Sequence, residues 1–176
     1  EAAVRAGIRP GLALNAALAL APGLKYRPRR EDREEAALER LAGWARQFTP
    51  EVVLAGDTLL LEIRGSLALF GGLDALHARI RERAGAMGYG VATAVAPTPR
   101  AAQWLALGVA RGVVPGDGAL VPDPANLPRA LGRLPVAFLG LDGGTRRRLE
   151  AIGARRVADL LRLPRAGLAR RYGRFL

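Results

Sequence analysis

The chain is 176 residues long, 50% hydrophobic and free of cysteine, which allows a packed core of one domain or two small ones and excludes a disulfide-stapled scaffold. Its longest apolar stretch, residues 13–21, is interrupted by Asn15 and falls short of the ~20 residues that cross a bilayer, so no transmembrane helix is expected. The net charge of +11 is uneven: residues 1–128 hold 15 basic and 13 acidic groups, residues 129–176 hold 12 and 3, so the cationic surface belongs to the C-terminal third and suits nucleic-acid phosphate, with a solvated helical face as the alternative.

Lys25 is the sole lysine. The rest of the positive charge is arginine, which favours planar bidentate contacts with phosphate, with a GC-rich genome as the competing account of the bias. The opening "EAAVRAGIRPG" lacks the charged, apolar, small-residue order of a secretory signal, and a cytoplasmic location is expected.

In chain order, residues 14–20 predict a short apolar helix ended by Pro22-Gly23. A charged connector, "YRPRRED", leads into a helix over residues 31–47, with acidic residues in its first turn and Ala37, Leu38, Leu41, Trp44, Ala45 and Phe48 on one stripe. Residues 52–54 and 58–63 are β-prone, and the Gly56-Asp57 pair between them signals a two-residue hairpin. A helix over residues 73–87 has Leu76, Ile80, Ala84 and Met87 on its core side and closes at Gly88 to Gly90. "VATAV" (91–95) predicts a strand, and Thr98-Pro99 caps and opens the next helix. Helix, hairpin, helix, strand, helix is the order of an α+β fold in which helices cover one face of a sheet.

Residues 112–128 are rich in Pro, Gly and Asp and read as a linker; beyond them lies a small basic helical module with Gly153 at a turn and Pro164 opening its last segment.

Taken in order, these segments resemble the Y-family DNA polymerases of the UmuC type. "GIRPGLALNAALALAP" is similar to the fingers segment of that family, and "FTP", "AGDT", "LEIRG" and "LFGG" follow the order of its palm motifs. The resemblance implies a palm-like sheet with helices on one face over residues 29–111. A fingers remnant would precede it at 1–28, and an incomplete thumb-like module would follow the 112–128 linker at 129–176.

The framework matches, but the chemical positions differ. Phosphoryl transfer by two metals needs clustered carboxylates. The family's Ser-Ile-Asp-Glu places Asp57 and Thr58 at its two acids, so a neutral hydroxyl stands at the second. A further family carboxylate is expected on a strand before Glu1. The triphosphate-binding Tyr and Arg of the family fall on Glu1 and Val4, and two lysines on Pro99 and Gln103. Losing metal ligands and phosphate cations together removes the electrostatics on which the transfer depends.

Within the family, this pattern is most similar to the ImuB-type proteins of bacterial mutagenesis cassettes. That likeness implies a non-catalytic scaffold for damage-induced (SOS) translesion synthesis, with no cofactor. Its partners would be DNA, an error-prone replicative-type polymerase, a RecA-like companion and the sliding clamp. A working but diverged polymerase, which would use Mg²⁺, is the alternative, and a plain basic structural or RNA-associated domain is the third reading.

Each candidate residue also has a structural reading. Asp57 is either a remnant metal ligand or an ordinary turn residue. Glu62 carries no assigned chemistry, and His77, the only histidine, reads as a surface or boundary residue. Trp44 and Trp104 read as core rather than as base-stacking platforms. Arg100 stands in a first helical turn near a lost lysine.

In the thumb-like module, "LGLDGGTRRRL" puts Gly140, Leu141 and Asp142 where the family has Gly-Ile-Gly, so Asp142 serves as a helix cap and repels phosphate there. The candidate DNA contacts are therefore Arg146, Arg147, Arg148, Arg155, Arg156 and Arg162, with Arg165, Arg170 and Arg171 alongside.

Overall fold

The structure, a computed structural model, describes residues 2–9, 11–115 and 119–172. Glu1, the position matched to the family's fingers tyrosine, lies outside them, as do residues 116–118 of the expected linker. The chain divides into two compact units, Glu1–Arg40 and Leu41–Leu176, with the division falling inside a helix.

The first unit holds α1 (Ala2–Arg5), α2 (Leu14–Leu20) and the start of α3 (Glu31–Ala45). α2 begins and ends where the apolar run predicts, and its one buried residue is Ala17. α3 opens on Glu31, Asp32 and Glu34, whose charge suits the positive end of the helix dipole.

In the second unit α3 runs into a buried aromatic cluster. Phe48 is 2% exposed and meets Trp44 edge-on at 5.1 Å and Phe70 at 5.8 Å, while Arg79 lies over the Phe70 ring at 5.6 Å. Next to Phe48, the buried Thr49 hydroxyl donates to the Glu62 carbonyl and accepts from the Glu51 N–H. This pins the "FTP" turn to the hairpin that follows.

That hairpin is β1 (Val52–Ala55) paired antiparallel with β2 (Thr58–Leu61), in register Val52 to Leu61 and Ala55 to Thr58. Gly56 takes φ 61°, whereas Asp57 stays at negative φ, the pattern of a two-residue turn with glycine first.

The helix α4 (Leu73–Ala86) buries Leu76 and Ala84 as its periodicity predicts. Two positions differ from expectation. Met87 is 42% exposed because the helix ends one residue earlier and turns at Gly88, φ 85°. His77 is buried rather than at the boundary, with Nε2 2.7 Å from the Thr93 hydroxyl.

The α+β class holds, with a sheet in two pieces. β3 (Ala94–Val95) is shorter than the expected 91–95 and pairs in parallel with β4 (Ala119–Leu120). Between them α5 (Pro99–Ala110) starts on Thr98, whose hydroxyl accepts from the Ala101 N–H at 3.3 Å, and packs against β2, β3 and β4.

Residues 112–128 do more than connect. They contribute β4, buried Ala119, and Val114, Val121 and Leu127 to a core shared with Leu105, Leu134 and Val157. That core joins α5 to α6 (Leu127–Gly132) and α8 (Val157–Leu161), so helices of the basic C-terminal stretch pack directly onto α5 and its neighbours. Gly108 marks the tightest point. A Cβ there would stand 2.7 Å from Leu134 Cδ2 and 2.8 Å from Val114 Cγ2. Gly108→Ala is expected to lower stability by about 1–3 kcal/mol through overpacking, despite alanine's better helix propensity. Chemical denaturation checks this, and an unchanged or raised midpoint contradicts it.

The remaining α-helices among the described residues are α7 (Gly143–Ala151) and α9 (Arg165–Tyr172), packed with α8 around Val136, Leu149, Ala154, Leu160 and Leu168. A short ladder locks them: Val136 N–H donates to Arg155 O and Val157 N–H to Leu134 O, each at 2.9 Å. No helix among the described residues is long and apolar enough to cross a membrane.

Candidate nucleic-acid interface and the hairpin tip

The hairpin tip carries Asp57, which the sequence allows as either a remnant metal ligand or an ordinary turn residue. Asp57 is exposed at the turn, and the Thr58 hydroxyl donates to Asp57 Oδ1 at 3.2 Å. A divalent ion held for phosphoryl transfer needs several anionic oxygens converging on it. Here one carboxylate already accepts from a neutral neighbour. Glu62, on the segment leaving the hairpin, turns its Oε1 to the Arg64 N–H at 2.9 Å. Among the described residues no three His, Asp or Glu side chains come together as a metal site. The residues present do not fit a two-metal centre.

The lysine-matching positions are equally altered. Pro99 occupies the first position of α5, Gln103 is half-buried, and Thr98 spends its hydroxyl on the cap. Arg100 is exposed in the first turn. Trp104 packs into the core shared with Leu105, and Trp44 packs on Phe48, so both tryptophans are framework.

The arginines of the C-terminal module are held on short helices. On α7, Thr145 and Leu149 face the core, which leaves the consecutive Arg146, Arg147 and Arg148 exposed. Arg147 Nη1 would stand 3.5 Å from a Cβ at Gly143, and Arg148 Nη2 3.9 Å from one at Gly144, so both guanidinium groups fold back along the start of the helix. Arg155 and Arg156 precede α8 and Arg162 follows it, all three exposed. Arg170 is exposed on α9; the side chains of Arg165 and Arg171 lie outside the described set.

Three carboxylates sit among these cations, each engaged. Asp142 caps α7, accepting from the Gly144 and Thr145 N–H groups at 2.9 Å. Asp159, in the first turn of α8, reaches back to the N-cap, accepting from Arg155 N–H at 3.0 Å and Arg156 N–H at 2.9 Å. Glu150 pairs with Arg146 at 3.8 Å and shares a shallow groove of about 340 Å³ with Pro135, Ala137 and Arg155. Sequence spacing foresaw the Asp142 cap. It missed the Asp159 cap, for which the signal was the Asp three residues after Arg156.

Both capping carboxyls titrate low. Hydrogen bonds from the Thr145 hydroxyl and N–H, then from the Gly144 N–H, with the Arg148 charge nearby, hold Asp142 below its ordinary value. The N–H groups of Arg156 and Arg155, helped by the Arg162 and Arg156 charges, do the same for Asp159. A lowered folded-state pKa means the stabilisation is complete above the unfolded value of ~4 and is lost as pH falls through the folded value. Asp142→Asn keeps the cap, since asparagine caps as well as aspartate. Its thermal midpoint is therefore expected to match the parent near neutral pH and to fall less between about pH 5 and pH 2. Melting curves by circular dichroism check this, and parallel losses in the two proteins contradict it.

The fold is that of the Y-family DNA polymerases. The chain is similar to the insertion ternary complex of Dbh DNA polymerase, with a TM-score of 0.73 at 21% identity over 96% of this chain and 49% of that one. DinB from Sulfolobus solfataricus gives a TM-score of 0.70 at 20% identity, covering 98% of this chain and 50% of that one. The family model described as IMS, the impB/mucB/samB family, matches residues 1–106. The chain belongs to that family. It is 35% identical over 168 residues to Protein ImuB of Caulobacter vibrioides strain NA1000 / CB15N, and equally to that of strain ATCC 19089 / CIP 103742 / CB 15. The match covers 95% of this chain and 35% of each relative, so the chain spans about a third of the length of the curated relatives it matches.

Proposed function

We propose that this chain is a polymerase-shaped, non-catalytic part of an accessory protein for error-prone translesion DNA synthesis, and that its basic helical module grips DNA without regard to sequence. The observation that carries the reading is the hairpin tip: the fold keeps the turn that would present catalytic acids, yet Asp57 has the neutral Thr58 beside it. Two-metal catalysis has no substitute for those oxygens. Residues 1–28, 29–111 and 129–176 correspond in this reading to a fingers remnant, a palm and a partial thumb.

DNA binding is supported by the exposed arginines of α7 and the ends of α8, and by the polymerases that share the fold. Assembly with an error-prone replicative-type polymerase, the sliding clamp and a RecA-like companion rests on the ImuB likeness alone. Primer extension with Mg²⁺ or Mn²⁺ tests the catalytic part: no incorporation above background is expected. Incorporation that disappears in Asp57→Ala would establish the diverged-polymerase reading instead.

A further inference from the structure

Arg155 and Arg156 lie between α7 and α8, and Arg156 is extended at φ −119° and ψ 158°. All four backbone polar groups of the pair are engaged. The two N–H groups donate to a single oxygen, Asp159 Oδ2, at 3.0 and 2.9 Å. The Arg155 carbonyl accepts from the Val136 N–H at 2.9 Å, and the Arg156 carbonyl accepts from the Asp159 N–H at 3.0 Å. Asp159 therefore makes three of the four bonds that fix this step of the chain.

Two cations flank the same carboxylate. Arg156 stands three residues before Asp159 and Arg162 three residues after it, with Arg162 still in the helical region at φ −82° and ψ −17°. Residues three apart are neighbours on a helix surface. The N–H groups of Arg156 and Arg155, then the charges of Arg162 and Arg156, hold the Asp159 carboxyl low, in keeping with both guanidinium groups standing near it. Both side chains are exposed, and neither forms an ion pair among the described residues.

If charge alone counted, a carboxylate beside these cations would weaken phosphate binding by repulsion. The hydrogen bonds point to the opposite effect. A guanidinium group on a fixed backbone loses less freedom when it meets a phosphate than one on a loose chain. Without the Asp159 side chain, the two N–H groups turn to water and the Arg156 backbone loosens. The bonds from Val136 to Arg155 and from Val157 to Leu134 remain and keep the module folded.

We propose that Asp159 is a positioning residue for DNA binding: it fixes the backbone ahead of α8 so that the Arg156 and Arg162 guanidinium groups on either side of it take two phosphates. The phosphates go to these side chains, not to the backbone at the start of the helix. The proposal rests on the DNA-binding reading above and deepens it by assigning one carboxylate a favourable part in an anion-binding surface.

Fluorescence anisotropy with a labelled duplex at several salt concentrations tests this. The variants are Asp159→Ala, Asp159→Asn, the pair Arg156→Ala with Arg162→Ala, and Asp123→Ala. The arginine pair is expected to lower the slope of log K against log salt by about 1.8, the equivalent of two phosphates. Asp159→Ala is expected to lower it by about 0.9 or more, and to weaken binding although it removes a negative charge. Asparagine keeps a carbonyl oxygen with two lone pairs for the two N–H groups, so Asp159→Asn is expected to keep the parent slope. Asp123 also accepts a backbone N–H, that of Ala125 at 2.8 Å, and precedes the arginine module in the chain. Asp123→Ala removes the same charge and a similar bond, and is expected to leave the slope unchanged. The melting midpoint of Asp159→Ala is expected to fall by about 2–4 °C, as for one lost cap.

Tighter or unchanged binding by Asp159→Ala overturns the proposal, because the carboxylate then acts by charge or not at all. A slope loss in Asp159→Asn as large as that in Asp159→Ala overturns it, and so does an equal loss in Asp123→Ala, which would trace the effect to stability. Parent-like binding by the arginine pair, with the parent protein binding duplex normally, overturns this proposal alone. Failure of the parent protein to bind duplex overturns the preceding reading along with it.

Discussion

Replacing Arg146, Arg147 and Arg148 together by alanine is expected to flatten the salt dependence of DNA binding by about 2.7 in the slope of log K against log salt, at ~0.9 for each phosphate that an arginine had neutralised. At low salt the affinity falls alongside, and it falls equally for unrelated sequences, because phosphate contacts position a protein without reading bases. The three side chains are exposed on α7 while Thr145 and Leu149 hold the helix to its core, so the variant keeps its fold. Glu150, left without Arg146, returns to solvent and does not become a buried unpaired charge. Titrations at several salt concentrations read the slope directly. A slope equal to the parent's would place the DNA contacts elsewhere or remove them altogether.

Phe48→Ala is the substitution expected to damage the fold most. Phe48 is 2% exposed and is the centre of the ring cluster with Trp44 and Phe70. Removing it leaves a cavity between two aromatic partners and is expected to cost about 3–5 kcal/mol, a large part of the ~5–15 kcal/mol that holds most domains together. The adjacent Thr49 ties this cluster to Glu51 and Glu62 on the hairpin, so the damage reaches the base of the strands that present Asp57. Urea denaturation followed by circular dichroism measures the loss. A change below about 1 kcal/mol would mean that the cluster is not a core.

Local chemistry made part of this legible from the residues alone. Gly56-Asp57 announced its turn because only glycine takes φ 61° there without strain. Thr98-Pro99 announced α5 because a hydroxyl acceptor followed by a residue lacking an N–H is a helix start. Asp142 announced α7 because its carboxylate can accept from the first free N–H groups of a helix.

What stayed hidden depended on partners far along the chain. β4 lies in a Pro- and Gly-rich stretch, and its strand character comes from β3, whose Ala94 pairs with Ala119. β3 pairs over Ala94 and Val95 with Ala119 and Leu120 of β4. His77 is buried because Thr93, 16 residues on, gives its ring a hydrogen-bond partner, and no helical periodicity reports that. The close approach at Gly108 was invisible because Leu134 lies well beyond it in sequence.

At the hairpin tip the sequence showed which residue types stand in the turn, and the structure added that Thr58 donates to Asp57 while no three His, Asp or Glu side chains come together as a metal site among the described residues. The clearest test of that account is a crystal soaked with a deoxynucleoside triphosphate and Mg²⁺, examined for ions at the turn. The expected result is no pair of metal ions beside Asp57 and Thr58. Two ions a few ångström apart, bridging Asp57 to the triphosphate, would contradict it.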